Sequence, residues 1–209
     1  MYGWKNWCRG AAAVTLLAQL ALANPSAEAS TLIRMGQDKL ATTNQTVVIA
    51  RAETAQSYWN ADGSLIFTDV TIKVLEVIKG AAAGGEMTVT TVGGTVGDIT
   101  NLVVGAASLT AGRPYLLFLS PADLPGAPGV LAVRDMAQGA FDIYMNKSGK
   151  LIAVSQAGDE HMVPDEFGLT TAPGGSDGLL LDAFVSDLRQ AVAQDGSGSK
   201  GSGSKGGAR

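Results

Sequence analysis

The chain has 209 residues, 15 of them basic and 19 acidic, for a net charge of -4 at pH 7. It carries one cysteine, Cys8, and one histidine, His161. These counts exclude a disulfide framework, a cysteine–histidine nucleophile in any chain that has lost Cys8, and a multi-histidine metal site.

Residues 1–29 are expected to be an export signal. Lys5 and Arg9 form a basic start, residues 11–23 are an apolar run, and Pro25 breaks it. Such a run of about a dozen residues is too short to span a bilayer. Ala27-Glu28-Ala29 offers the small-x-small pattern of a cleavage site, and Ala21-Leu22-Ala23 a second. Cys8 precedes the apolar run, whereas a lipid-bearing cysteine follows it. Removing Lys5, Arg9 and Glu28 leaves 13 basic against 18 acidic residues. That balance argues against nucleic acid or anionic lipid as a partner, because both demand a basic patch. No second long apolar stretch follows, so no membrane span is expected. The localisation read from this is periplasmic or extracellular. An exported chain without disulfides must be stabilised by its core, and residues 30–195 suffice for one domain.

Along the chain, Leu32, Ile33, Met35 and Leu40 mark a short helix over residues 31–41. Residues 46–55 are rich in β-branched side chains and read as a strand. Residues 59–64 hold Asp62-Gly63 between two apolar runs, a hairpin signal. The returning strand covers 65–78, with a change of phase near Asp69-Val70 that points to a bulge. A third strand follows at 87–92, then a glycine-punctuated stretch over 93–112. Tyr115-Leu116-Leu117-Phe118-Leu119 lies between Pro114 and Pro121 and reads as a central buried strand. Residues 121–129 contain three prolines and read as a loop. Further strands are expected at 130–134, 140–145 and 150–155, the last two joined by the Asn146-Lys147-Ser148-Gly149 turn. Residues 156–178 have no clear period.

Helical spacing appears at 179–194, where Leu180, Phe184, Leu188 and Val192 recur every fourth residue. Asp177 is its candidate cap. Residues 196–209 form a Gly/Ser/Lys tail, flexible by composition. The expected fold is mainly β: a small antiparallel OB-like barrel with an N-terminal and a C-terminal helix. Closure would remove the sheet edges that are a liability in an exported monomer.

The pattern from Thr46 to Gly97 resembles a group of secreted bacterial proteins of uncharacterised role. The residues that carry it are Trp59-Asn60-Ala61-Asp62-Gly63, Thr68-Asp69-Val70, Val77-Ile78-Lys79-Gly80 and Gly93-Gly94-Thr95-Val96-Gly97. Gly112, the 115–119 strand and Gln138-Gly139-x-Phe141 continue it. The layout is also similar to netrin-like modules, including the inhibitory domain of tissue inhibitors of metalloproteinases. That resemblance implies an OB-type barrel and a protease as one kind of partner. Those inhibitors chelate zinc through an N-terminal cysteine, which this chain lacks after residue 29.

Candidate sites are few. Tyr58 and Trp59, aromatics at a strand end, are candidate anchors for a protein or peptide; a lid over the barrel end is the simpler account. Gly93, Gly94 and Gly97 could present amides to an anion, although no helix or Lys-Ser/Thr completes a phosphate loop. A tight strand-end turn explains them with less. Asp159, Glu160, His161 and Asp165, with Glu166, form the densest polar cluster and are candidate cation ligands. Their spacing fits neither a closed zinc site nor an EF-hand, and a solvated acidic loop is the plainer account. A serine hydrolase would have only His161 as base and no Gly-x-Ser-x-Gly elbow. No cofactor is expected. The reading is an exported binding module for a protein or peptide. A small hydrolase or metal-binding protein using the 159–166 loop, and a structural envelope component, stand as alternatives.

Overall fold

The structure, a computed structural model, describes residues 32–81, 85–157, 162–163 and 178–198. The expected leader, Asp177 and most of the Gly/Ser/Lys tail lie outside these residues, as do Asp159, Glu160, His161, Asp165 and Glu166.

The elements in order are β1 (Leu32–Ile33), α1 (Gln37–Thr43), β2 (Thr46–Trp59), β3 (Ile66–Lys79), β4 (Glu86–Val92), β5 (Gly94–Val96) and β6 (Ile99–Asn101). They continue as β7 (Pro114–Leu124), β8 (Ala127–Val133), a 3-10 turn (Met136–Gly139), β9 (Ala140–Met145), β10 (Leu151–Ser155), β11 (Met162–Val163), β12 (Leu179–Leu180) and α2 (Leu181–Gly198). The described chain is mainly β, with one short early helix and one C-terminal helix. No helix among the described residues is long and apolar enough to cross a membrane.

Five strands form a ring. β3 pairs antiparallel with β2 and β4. β7 pairs antiparallel with β2 and β8. A parallel bridge from Thr90 to Ala132 joins β4 to β8 and completes the cycle. β9, β10 and β12 extend the sheet outward from β7.

The ring explains why two segments read as unbroken apolar runs. Along β2, Val48, Ala50 and Ala52 join Val70, Ile72 and Val89 in the core that the ring encloses. Val47 and Ile49, on the other face, belong to a second core beneath the helices. β7 divides in the same way: Tyr115, Leu117 and Leu119 face the first core, Leu116 and Phe118 the second. A strand buried on both faces needs no polar alternation.

α2 closes the second core. Leu181, Phe184, Val185 and Leu188 are buried at helical spacing, and Asp182 suits the positive first turn. Phe141 stands between Phe118 at 5.9 Å and Phe184 at 5.0 Å, at tilted and edge-on angles that aromatic quadrupoles favour. α1 adds Leu40 and Ala41. The Lys79 ammonium donates to the carbonyls of Ala41 and Thr42, both at 2.7 Å, and satisfies the end of α1.

Several expected boundaries are corrected. The helix expected at 31–41 is two elements: Leu32 and Ile33 pair in parallel with Met162 and Val163, and α1 starts only after an extended Gly36. Glycine is a poor helix former, and it separates the apolar residues that suggested one helix. No bulge sits at Asp69-Val70: β3 leaves Leu75 and Ile78 extra farther along, and on the facing strand pairing steps from Ala52–Ile72 to Thr54–Thr71 and leaves Glu53 extra. The proline-rich loop at 121–129 is instead the end of β7, a turn at Pro125-Gly126 and the start of β8. β2 pairing ends at Leu119, so Pro121 sits where one edge of its strand has no ladder bond to lose. The helix expected over 179–194 starts at Leu181, because Leu179 and Leu180 pair with β10 as β12, and it runs through Gly198.

Candidate functional site

The hairpin joining β2 to β3 is held by its own polar atoms. The Asn60 side-chain Oδ1 accepts from the backbone amides of Ser64 (2.9 Å) and Leu65 (3.0 Å). Its amide nitrogen donates to the Ser64 hydroxyl and, at 3.3 Å, to the Pro125 carbonyl in the β7–β8 turn. Asp62 accepts from the Ser64 hydroxyl at 2.6 Å and the Ser64 amide at 3.0 Å. Those bonds hold the Asp62 carboxyl below the ordinary aspartate range, the hydroxyl contributing most. Asn60, Asp62 and Ser64 thus spend their oxygens on the turn. Trp59 pairs with Ile66 and belongs to the strand end rather than to the turn.

Two polar clusters sit behind this turn, on opposite faces of the hairpin. On one face Asp69 accepts from the Thr90 hydroxyl at 2.6 Å and from the Tyr58 phenol at 3.2 Å. Burial pushes the Tyr58 phenol pKa up, and the Asp69 charge adds to the rise. The Tyr58 ring meets Phe67 edge-on at 6.3 Å. On the other face the hydroxyls of Ser57 and Thr68 lie 2.8 Å apart, and Thr68 donates to the Gly93 carbonyl at 2.7 Å.

The glycine loop rests on that second cluster. A β-carbon at Gly94 would fall on the hydroxyls of both Thr68 and Ser57, and its φ of 137° is one that L side chains rarely adopt. The Gly93 amide donates to the Ile66 carbonyl at 2.8 Å, so it is spent on the hairpin and does not face an anion. Gly97 turns the β5–β6 hairpin with φ 60° and open space beside it. Tyr58, Trp59, Gly93 and Gly94 are therefore brought into one neighbourhood, with Gly97 at the tip of the hairpin that leaves it. The role of Gly93 and Gly94 there is close backbone approach.

Among the side chains this end presents outward are four large apolar ones. Trp59 is 38% exposed, Ile99 55%, Leu102 85% and Val104 82%. The backbone that carries the last two is tied at both ends. Gly93 bonds to the hairpin, and a β-carbon there would meet the Asn101 carbonyl oxygen at 2.9 Å. At the far end the Ala106 amide bonds Val103 (3.1 Å) and the Ala137 amide bonds Gly105 (2.7 Å). The link that supplies Ala137 contains Asp135 and Met136, both left-handed at φ 61° and 60°. Such non-glycine residues cost of order 1–3 kcal/mol each, so surrounding contacts must hold them. Ile99, Leu102 and Val104 carried no signal in the sequence beyond being apolar in a glycine-rich stretch.

A second cluster lies at the start of β7. The Arg113 guanidinium stacks 4.9 Å from the Tyr144 ring centroid and lies 3.5 Å from Asp142. Burial raises the Asp142 carboxyl pKa, and Arg113 partly offsets the rise. Gln156 pairs with both backbone groups of Ser108 at 2.9 Å beside it. Among the described residues no three His, Cys, Asp or Glu side chains converge as metal ligands. The chain matches no protein-family model and no curated protein.

Proposed function

We propose that this chain is an exported, non-enzymatic interaction module that recognises a protein or peptide with the end carrying Trp59, Ile99, Leu102 and Val104. The observation that carries the reading is the exposure of Leu102 and Val104 on a backbone fastened at Gly93 and Gly105. Large apolar side chains held outward by an anchored backbone form a pre-organised patch of the kind interfaces use. The Ser57, Tyr58, Asn60, Ser64 and Thr68 side chains of the same end are bonded within it, so they consolidate the surface instead of offering free chemistry. The finer fold reading is an OB-like, netrin-like barrel. The cyclic pairing β2–β3–β4–β8–β7, with its parallel β4–β8 contact, supports it. The Lys-Gly end of β3 has a local structural role: Lys79 caps α1, and Gly80 approaches Gln45 too closely for a side chain.

The test is affinity capture from secreted and periplasmic fractions with the protein lacking residues 1–29, beside its Leu102→Ser/Val104→Ser variant. A partner kept by the wild type and lost by the variant is the expected result. A partner that binds both equally, or none at micromolar bait, would overturn the reading.

A further inference from the structure

We infer that the occupant of this patch is a basic amphipathic polypeptide segment. The inference deepens the reading above and rests on it. It comes from where the cations are missing. Residues 52–72, 80–112 and 114–133 contain no lysine or arginine. These segments build the three turns at this end: β2–β3, β5–β6 and β7–β8. Asn60 joins the first turn to the third, and Gly93 joins the first to the glycine loop. The turns do carry acids. Asp62, Asp98 and Asp123 are all exposed, one in or beside each turn. The bonds from Ser64 keep Asp62 ionised to lower pH.

The cations nearest the turn on the same hairpin, Arg51 and Lys73, face each other across β2 and β3, and Lys79 lies farther away. Seven residues of extended strand separate Lys73 from Ile66, about 20 Å. At physiological ionic strength that distance lies beyond the screening length of about 8 Å. Arg134 borders the far end of the loop, and Asp135 follows it in the chain.

With Asp62, Asp98 and Asp123 exposed in or beside its turns, this end selects its partner by charge. An anionic membrane is repelled. A second copy of this chain would set Asp62, Asp98 and Asp123 against their own equivalents. A neutral lipid surface uses the apolar residues and gains nothing from the acids. A segment with one apolar and one Lys/Arg-rich face uses both.

Trp59 is the sole tryptophan after residue 29, so its emission reports binding directly. The probes are short peptides of Lys and Leu in a helical repeat, a Glu/Leu counterpart, a Lys/Ser counterpart and phosphatidylcholine vesicles. The expected result is saturable binding of the Lys/Leu peptide alone, weakening about tenfold from low to high salt. Leu102→Ser/Val104→Ser should weaken it about tenfold more. Asp62→Asn/Asp98→Asn keeps the turn-forming oxygens and should flatten the salt dependence. Equal binding of the Glu/Leu or Lys/Ser peptide, or of the vesicles, overturns the inference, as does indifference to either double variant. If every peptide fails while a captured natural partner still needs Leu102 and Val104, the charge inference falls and the interaction reading stands.

Discussion

The face under the helices and the end carrying the turns use apolar residues in opposite ways. Beneath α2, Phe118, Phe141 and Phe184 stack in a closed layer with Leu116, Leu181 and Leu188. At the turn end polar bonds of Ser57, Tyr58, Asp69 and Thr90 sit beside the buried Ile66 and Phe67, and Leu102 and Val104 are exposed. The first arrangement removes apolar surface from water. Each fully buried side chain of that size contributes about 1.5–3 kcal/mol. The second leaves apolar surface in water on a fastened backbone, where it is available to a partner. The proposed function thus places recognition at the turn end and leaves stability to the face under the helices.

The comparison breaks most visibly at Phe141. Phe141→Ala should cost about 3–5 kcal/mol, because it opens a cavity between two rings that cannot both close on it. Its denaturant midpoint should fall accordingly. Gly94→Ala comes next. The backbone conformation costs of order 1–3 kcal/mol for a residue with a side chain, and the Ser57 and Thr68 hydroxyls must also move. Adding Ser57→Gly should recover only the Ser57 share of the steric part, because the Thr68 hydroxyl still lies in the way, and thermal melts of the single and double variants will measure that share.

A smaller effect is expected at Asp142, and it depends on pH. Its carboxyl keeps a proton to higher pH in the folded chain than in the unfolded one. Between those two values the folded state binds more protons, so stability declines as pH rises through the window. Asp142→Asn should remove that decline, with the gain over wild type growing as pH rises and vanishing in acid. Melts across that range with Arg113 left in place check the sign. The smallest effect belongs to Leu102→Ser/Val104→Ser, whose stability should stay within about 0.5 kcal/mol of wild type.

The hairpin of β2 and β3 was legible because Asp62-Gly63 sits between β-branched runs, and the buried strand at Tyr115–Leu119 because five apolar residues stand between prolines. The helical spacing of Phe184 and Leu188 likewise marked a packed face. Pro121 misled because a proline reads as a break unless one knows that its strand has already parted from β2. The site was legible only in outline. Tyr58, Trp59, Gly93 and Gly94 were identified from local pattern, and register brings them together. Asp69 reaches Thr90 because the two are paired across β3 and β4, a relation 21 residues apart in sequence. The outward display of Leu102 and Val104 depends on ties to Ile66 and Ala137, which no local period encodes.

The most direct test of this division is to measure stability and peptide binding on the same Leu102→Ser/Val104→Ser protein. The account predicts an unchanged denaturant midpoint together with a loss of Lys/Leu-peptide binding of about tenfold or more. A midpoint lowered as far as that of Phe141→Ala, with binding intact, would contradict it and return those residues to the core.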